Sequence, residues 1–446
     1  AHRRAPVSRL ARKAEILKLA RVLGVGEADL AYLHGSDAES IRSFREQASA
    51  RLFDADEARL KRVAAASKLL PIPLIALIAE HVFGDVLCAR VAGLIAPDRA
   101  ADLAQRLRVG FLADVTLEID PRHVREVIKR IPVARIVEVG LELARRGEFV
   151  TLARFVDYVS SDAIKAVMEK LTDNAALLHI AFFVEDKTRL NELVGFLPET
   201  RLREIIFLAA DESQDLWAEA LALMNYVSPE WRKRLGELAA TLDDGIVSSM
   251  ARSAQAQNLW SAVLPIVGVM SSAHQQRLLK LPILGDETVL DSIVKTVDVD
   301  HLWNELIPLV PMMQPEQQRR LANLPRLRES RVLEAVLKAT DVNGLWNQLL
   351  PLVGLMDEDA QQKLALAAEK LSDGAFGRVF DAVQVGRTWA PLLVLLLRMR
   401  EDVRARIAPL VQKLSPESAR FIAQEAGRLG VLDRLESLWD SLARLR

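Results

Sequence analysis

With 446 residues, half of them hydrophobic and 27% charged, the chain has enough apolar side chains for sizeable cores, and its composition excludes a disordered polymer. A formal net charge of −1 excludes a strong overall pull toward nucleic acid or membrane. The single cysteine, Cys88, excludes an internal disulfide and fits a reducing compartment.

In chain order, residues 1–36 form a first segment. Its opening, "AHRRAPVSRLARKAEILKLARVLG", has seven Arg/Lys against one Glu. Leu10, Ala14, Leu17 and Arg21 follow helical spacing, so a basic amphipathic helix is expected. Such a helix suits an anionic membrane or an acidic partner; a solvated cap or free arm is the plainer reading. "YLHGSD" at 32–37 brings a histidine, a serine and an aspartate together, but sequence adjacency is not triad geometry and a turn is expected. Residues 37–93 follow as a helical cap, charged up to Lys68 and then apolar in "LLPIPLIALIAEHVFGDVLCARVAGLIAP". Glu80, His81, Asp85 and Arg90 interrupt this run and Pro71 and Pro73 break its start, so a buried helix pair is expected rather than a membrane span.

From 94 to 210 a shorter pattern repeats. "PDRAADLAQRLRVGFLADVTLEID" is echoed 24 residues later by "PRHVREVIKRIPVARIVEVGLELA", with Arg106-Leu107 matching Arg130-Ile131 and Val109 matching Val133. Each half reads as a pair of short helices. The pattern resembles the short-helix superhelix at the N-terminus of MgtE-type magnesium transporters and, more loosely, the helical units of FliG-like proteins. In the transporters that domain is cytosolic and contributes acidic metal-sensing positions. Those positions do not map onto this chain one by one, so magnesium sensing is not carried over.

Residues 211–446 carry a longer repeat. Trp217, Trp260, Trp303, Trp346 and Trp389 stand 43 residues apart, five of the seven tryptophans. The fifth residue after tryptophan is Pro265, Pro308 or Pro351; the tenth is Met270, Met313, Met356 or Met399. The eighteenth and thirty-third are aliphatic or methionine throughout, as in Leu321 and Val336. A period of this length signals stacked helical units. Within one unit, Trp303, Leu306, Ile307 and Val310 form the buried stripe of a first helix; Leu321 and Leu324 mark a second, and Val332, Leu333 and Val336 a third. Pro308 would cost about 3 kcal/mol in an unaccommodated helix interior, so its recurrence predicts a kink. These columns resemble HEAT and armadillo arrays. The expected fold is all-α, a right-handed solenoid or superhelix of short helices.

Sites of chemistry are sparse. The seven histidines show no metal-ligand spacing, no phosphate loop or nucleophile elbow occurs, and no cofactor is expected. Asp211-Glu212, Asp243-Asp244 and Asp357-Glu358-Asp359 read as helix starts, with a weak divalent-ion site as the alternative. One column invites a binding role: the seventeenth residue after each tryptophan is basic, namely Arg234, Arg277, Arg320, Lys363 and Arg406. On one face these would form a ladder for acidic peptides or phosphates; paired to nearby carboxylates they would only solvate the array. The leading expectation is a non-enzymatic scaffold for a protein partner in the cytoplasm. A carrier or sensor of an apolar or lipid ligand at a membrane surface is the alternative, reached through the basic N-terminal arm. A HEAT-like DNA-processing enzyme is disfavoured by the near-neutral charge and low aromatic content, so no nucleic-acid partner is expected.

Overall fold

The computed structural model describes residues 5–54, 57–411 and 416–430. Among these every regular element is a helix, most of them short, and neighbouring helices pack as stacked pairs and triplets. The fold is all-α and solenoid-like. The chain divides into two compact units, residues 1–235 and 236–446, with the division falling inside the helix Pro229–Ala240.

Unit one begins with the helix Ala5–Leu23. From Ala11 onward it is not a free arm. Ile16 and Leu19 are fully buried and pack with Leu30 and Ile41, whereas Ala14 and Leu17 join a second core with Phe182, Phe183 and Leu190. Two apolar faces on one helix leave little of it for solvent, which is why the basic composition alone misleads here. Leu10 lies outside the residues whose side chains are described. The sequence "YLHGSD" is a turn: a 3-10 helix ends at Gly35, and Asp37 caps the next helix by accepting from the Ser40 amide at 2.8 Å and hydroxyl at 2.7 Å.

The apolar run forms two helical pieces. Ile72–Ile78 continues through a π-helical turn, Ala79–Phe83; Gly84 then adopts φ 73°, ψ 175°, and the chain turns into the piece ending at Ala92. Only Gly takes that backbone without strain. Ile75, Ala76, Ala79, Ala89 and Val91 are buried, and the pieces pack on the helices Pro97–Arg106 and Val109–Glu118. The pair is therefore only half-buried. The helix Glu57–Ser67 also packs on the second piece, while the other side of the first piece faces outward.

Unit two shows the repeat as three helices per 43-residue unit. For the unit of Trp346 they are Trp346–Val353, Glu358–Ala368 and Asp373–Gly386. Trp260, Trp303, Trp346 and Trp389 are buried, and the thirty-third column is buried at Met250, Ile293, Val336, Val379 and Ile422. Pro265 and Pro351 sit inside α-helices, but at Pro308 the first helix changes to 3-10 over Ile307–Met312. Pro311 follows three residues on, so two α-type donors are missing from one turn, and tighter 3-10 winding accommodates this. Each unit is also entered through a left-handed residue two places before the tryptophan: Asn258, His301, Gly344 and Arg387, with φ between 54° and 67°. The tryptophan's neighbour then bonds back into the preceding helix, as from the Leu302 amide to the Val297 carbonyl at 2.9 Å.

Candidate docking surfaces

The basic column faces the chain itself. Arg277 donates to the Ala240 carbonyl, to Leu242 O at 2.7 Å and to Asp244 at 2.7 Å. Arg406 reaches Glu369 O at 3.3 Å, Leu371 O at 2.9 Å and Asp373 at 3.1 Å. Arg320 donates to the Gly285 carbonyl and to Glu316, Lys363 pairs with Asp359 at 3.0 Å, and Arg234 pairs with Glu199 at 3.4 Å beside the Trp231 ring. Arg277 and Arg406 thus cap the exposed carbonyls where the second helix of the preceding unit ends, satisfying orphan acceptors at the negative end of that helix. Unit one uses the same device: Arg135 donates to Ala104 O and Leu107 O, and Arg201 to Met168 O and Leu171 O. The fifteenth column does the matching task within a unit. Gln275 donates to Val267 O and Gln361 to Val353 O, both at 2.9 Å, closing the ends of their own first helices. The heads of the seventeenth column stay half-exposed, but their donors are engaged.

A different column is free. The thirty-fifth residue after tryptophan is Arg252, Lys295 or Lys338, all exposed and with no partner among the described residues. Four residues further along the same helix faces stand Ala256, Val299, Val342 and Val385, with the valines 63%, 74% and 84% exposed. Asp381 ends the run of cations in the fourth unit. This strip of cations and bare valines on the third helices of unit two was legible in the 43-residue step, but solvent exposure was needed to separate it from the capping column. The acidic positions act as expected at helix starts: Asp243 accepts from the Gly245 amide and Asp357 from the Ala360 amide. No group of three His, Cys, Asp or Glu able to hold a metal occurs among the described residues.

Unit one holds a buried charge cluster that the sequence did not reveal. Lys18 and Arg45 are each 3% exposed. Glu15 bonds Lys18 at 3.1 Å and Arg45 at 3.2 Å; Glu185 bonds Arg45 at 2.8 Å, with Lys18 and Arg42 each at 3.8 Å. Burial opposes ionisation of Glu185, yet Lys18, Arg45 and Arg42 together hold its carboxyl below the usual range. Nearby, burial pushes the Lys187 ammonium down to about 7; repulsion from Lys18 adds to this, and Glu15, Asp157 and Glu185 oppose it. Its nitrogen donates to the Ala181 and Phe182 carbonyls and lies 5.6 Å from the Tyr226 ring. These carbonyls end the helix Asn174–Phe183, so Lys187 is another cap. The linkage has a definite sign. Between about pH 7 and about pH 10 the unfolded chain holds a proton that folded Lys187 has lost, so this group's contribution makes stability rise with pH across that window. Lys187→Met is expected to flatten that rise relative to the parent chain in urea titrations at both ends of the window. An unchanged slope would exclude Lys187 as its source. Cys88 offers no reactive thiol, since burial pushes it up to about 11.

These features define an all-α helical-repeat protein with capped, stacked units. No protein-family model matches the chain, and no curated protein matches it either.

Proposed function

We propose that this chain is a non-enzymatic interaction scaffold, HEAT- or armadillo-like in its 43-residue repeats, that holds an extended acidic segment of a protein partner along the third helices of unit two. The observation that carries this reading is the strip of unpartnered Arg252, Lys295 and Lys338 beside exposed Val299, Val342 and Val385. Exposed cations attract carboxylates, and the valines give apolar side chains a place to settle. Stacked helices lie roughly 10 Å apart, and an extended peptide rises about 3.3 Å per residue. One acidic residue in every three would therefore meet successive units. The half-exposed column of Arg234, Arg277, Arg320, Lys363 and Arg406 enters as a source of positive potential whose donors are already committed to the stack. The short helix pairs of 94–210, MgtE-like in pattern, enter as structural support.

The test is in-cell crosslinking through Lys295 and Lys338 with the partner read by mass spectrometry. An acidic, extended partner segment is expected at both lysines. The triple reversal Arg252→Glu, Lys295→Glu, Lys338→Glu is expected to weaken that complex at least about tenfold, since each replaces attraction by repulsion, and to leave helicity unchanged. Full retention of the partner by the triple variant would sink the proposal. Native mass spectrometry separates the carrier alternative, which requires a bound small molecule of a few hundred daltons released on denaturation.

A further inference from the structure

The half-buried helix pair of unit one poses a separate problem. Leu69, Leu74, Leu77, Val82, Phe83 and Val86 are all exposed, Leu69 by 86% and Val82 by 72%. Leu74 and Leu77 lie on the face opposite buried Ile75, Ala76 and Ala79, where an ordinary surface helix carries polar residues. From Leu69 to Ala79 the sequence "LLPIPLIALIA" has no polar side chain at all. An exposed apolar stretch of this kind marks a docking surface.

The chemistry of the face selects its occupant. Protein interfaces carry about one hydrogen bond per 100–200 Å², and this stretch has no side chain to make one. Hydrocarbon asks for none. Arg62 and Lys68 are exposed just before Leu69, and no acidic residue occurs from Ala58 to Ala79. On the helix itself, Glu80 is occupied by Arg108, whose amide and guanidinium it accepts at 2.6 and 2.7 Å. Length and composition alone would allow Ile72–Ala92 to cross a membrane, but the break at Gly84 removes that option. The first piece comprises seven α-helical and five π-helical residues, about 18 Å at the α-helical rise, against a hydrocarbon core of about 30 Å. Its inner side is also already committed to the core of unit one.

We propose that the exposed apolar face from Leu69 to Val86 docks this chain on an anionic lipid surface, with the first helical piece lying in the headgroup plane and Arg62 and Lys68 against the lipid phosphates. The assignment is independent of the protein-binding strip in unit two. Buried apolar area supplies the attachment, and the cations supply the preference for negative lipid.

Vesicle co-sedimentation of the full chain tests it, with phosphatidylcholine vesicles containing or lacking a quarter of phosphatidylglycerol. Binding is expected to the anionic vesicles, with several-fold weakening between about 0.1 M and about 1 M salt. Leu74→Glu, Leu77→Glu, Val82→Glu is expected to reduce it at least about tenfold, with an unchanged melting curve because all three side chains are outside the core. Arg62→Glu, Lys68→Glu leaves the apolar face intact and is expected to abolish the preference for anionic vesicles. Equal binding to both vesicle types would overturn the anionic assignment. Absence of vesicle binding would overturn the proposal, as would a wild-type dimer that becomes monomeric in the Leu74/Leu77/Val82 variant, since the face would then be a contact between copies.

Discussion

Arg45→Ala is expected to destabilise unit one by about 3–5 kcal/mol, the usual cost of removing one partner from a buried ion pair. The reason is the company Arg45 keeps. It is the only residue hydrogen-bonded to both Glu15 and Glu185 among the described residues, and it is almost fully buried. Lys18 and Arg42 stay behind but sit 3.8 Å from Glu185, so one carboxylate is left poorly compensated in a medium of low polarity. The pH dependence identifies the cause. Without Arg45 the folded-state affinity of Glu185 for a proton rises, so the folded chain gains protons relative to the unfolded one as pH falls. The deficit of the variant is therefore expected to shrink from about pH 8 toward about pH 5. Urea unfolding followed by circular dichroism at the two pH values measures it. A deficit independent of pH would point to lost packing instead of lost charge balance.

The second large effect belongs to the tryptophan column. Trp303→Ala is expected to cost about 3–5 kcal/mol, as for other large aromatic truncations in cores. Trp303 is 4% exposed and is followed on its own helix by buried Leu306 and Ile307. Stacked units are close-packed, so the site cannot collapse without moving the next unit. Trp217, which is only half-buried, provides the internal comparison: Trp217→Ala is expected to cost clearly less. Equal losses at both positions would mean that the column is not a graded inter-unit spine.

Much of this architecture is legible in the amino-acid sequence. The 43-residue step located the three-helix units, and the apolar stripes at Trp303, Leu306, Ile307, Val310 and at Val332, Leu333, Val336 are buried as their spacing implies. Helical periodicity is a local property, so a single chain displays it directly. Aspartates at helix starts were legible for the same reason, because a cap acts within three residues.

What only the tertiary structure decided depends on which groups meet across the chain. The left-handed residue before each repeat tryptophan is Asp215, Asn258, His301, Gly344 or Arg387. Glycine announces such a backbone and Asp, Asn and His tolerate it, but Arg387 holds it against its own preference because the stack fixes both flanking helices. The two basic columns look alike in sequence, yet Arg277 and Arg406 end on carbonyls more than thirty residues upstream while Lys295 and Lys338 are exposed with no partner among the described residues. The charge cluster joins Glu15, Lys18, Arg45 and Glu185, whose sequence separations carry no periodic signal. The exposure of Leu74 and Leu77 likewise follows from which helices lie over them, not from their own composition. Sequence determined where the helices are and which stripe each buries. Long-range packing determined which cations are caps, which are free, and which apolar face is left without a neighbour.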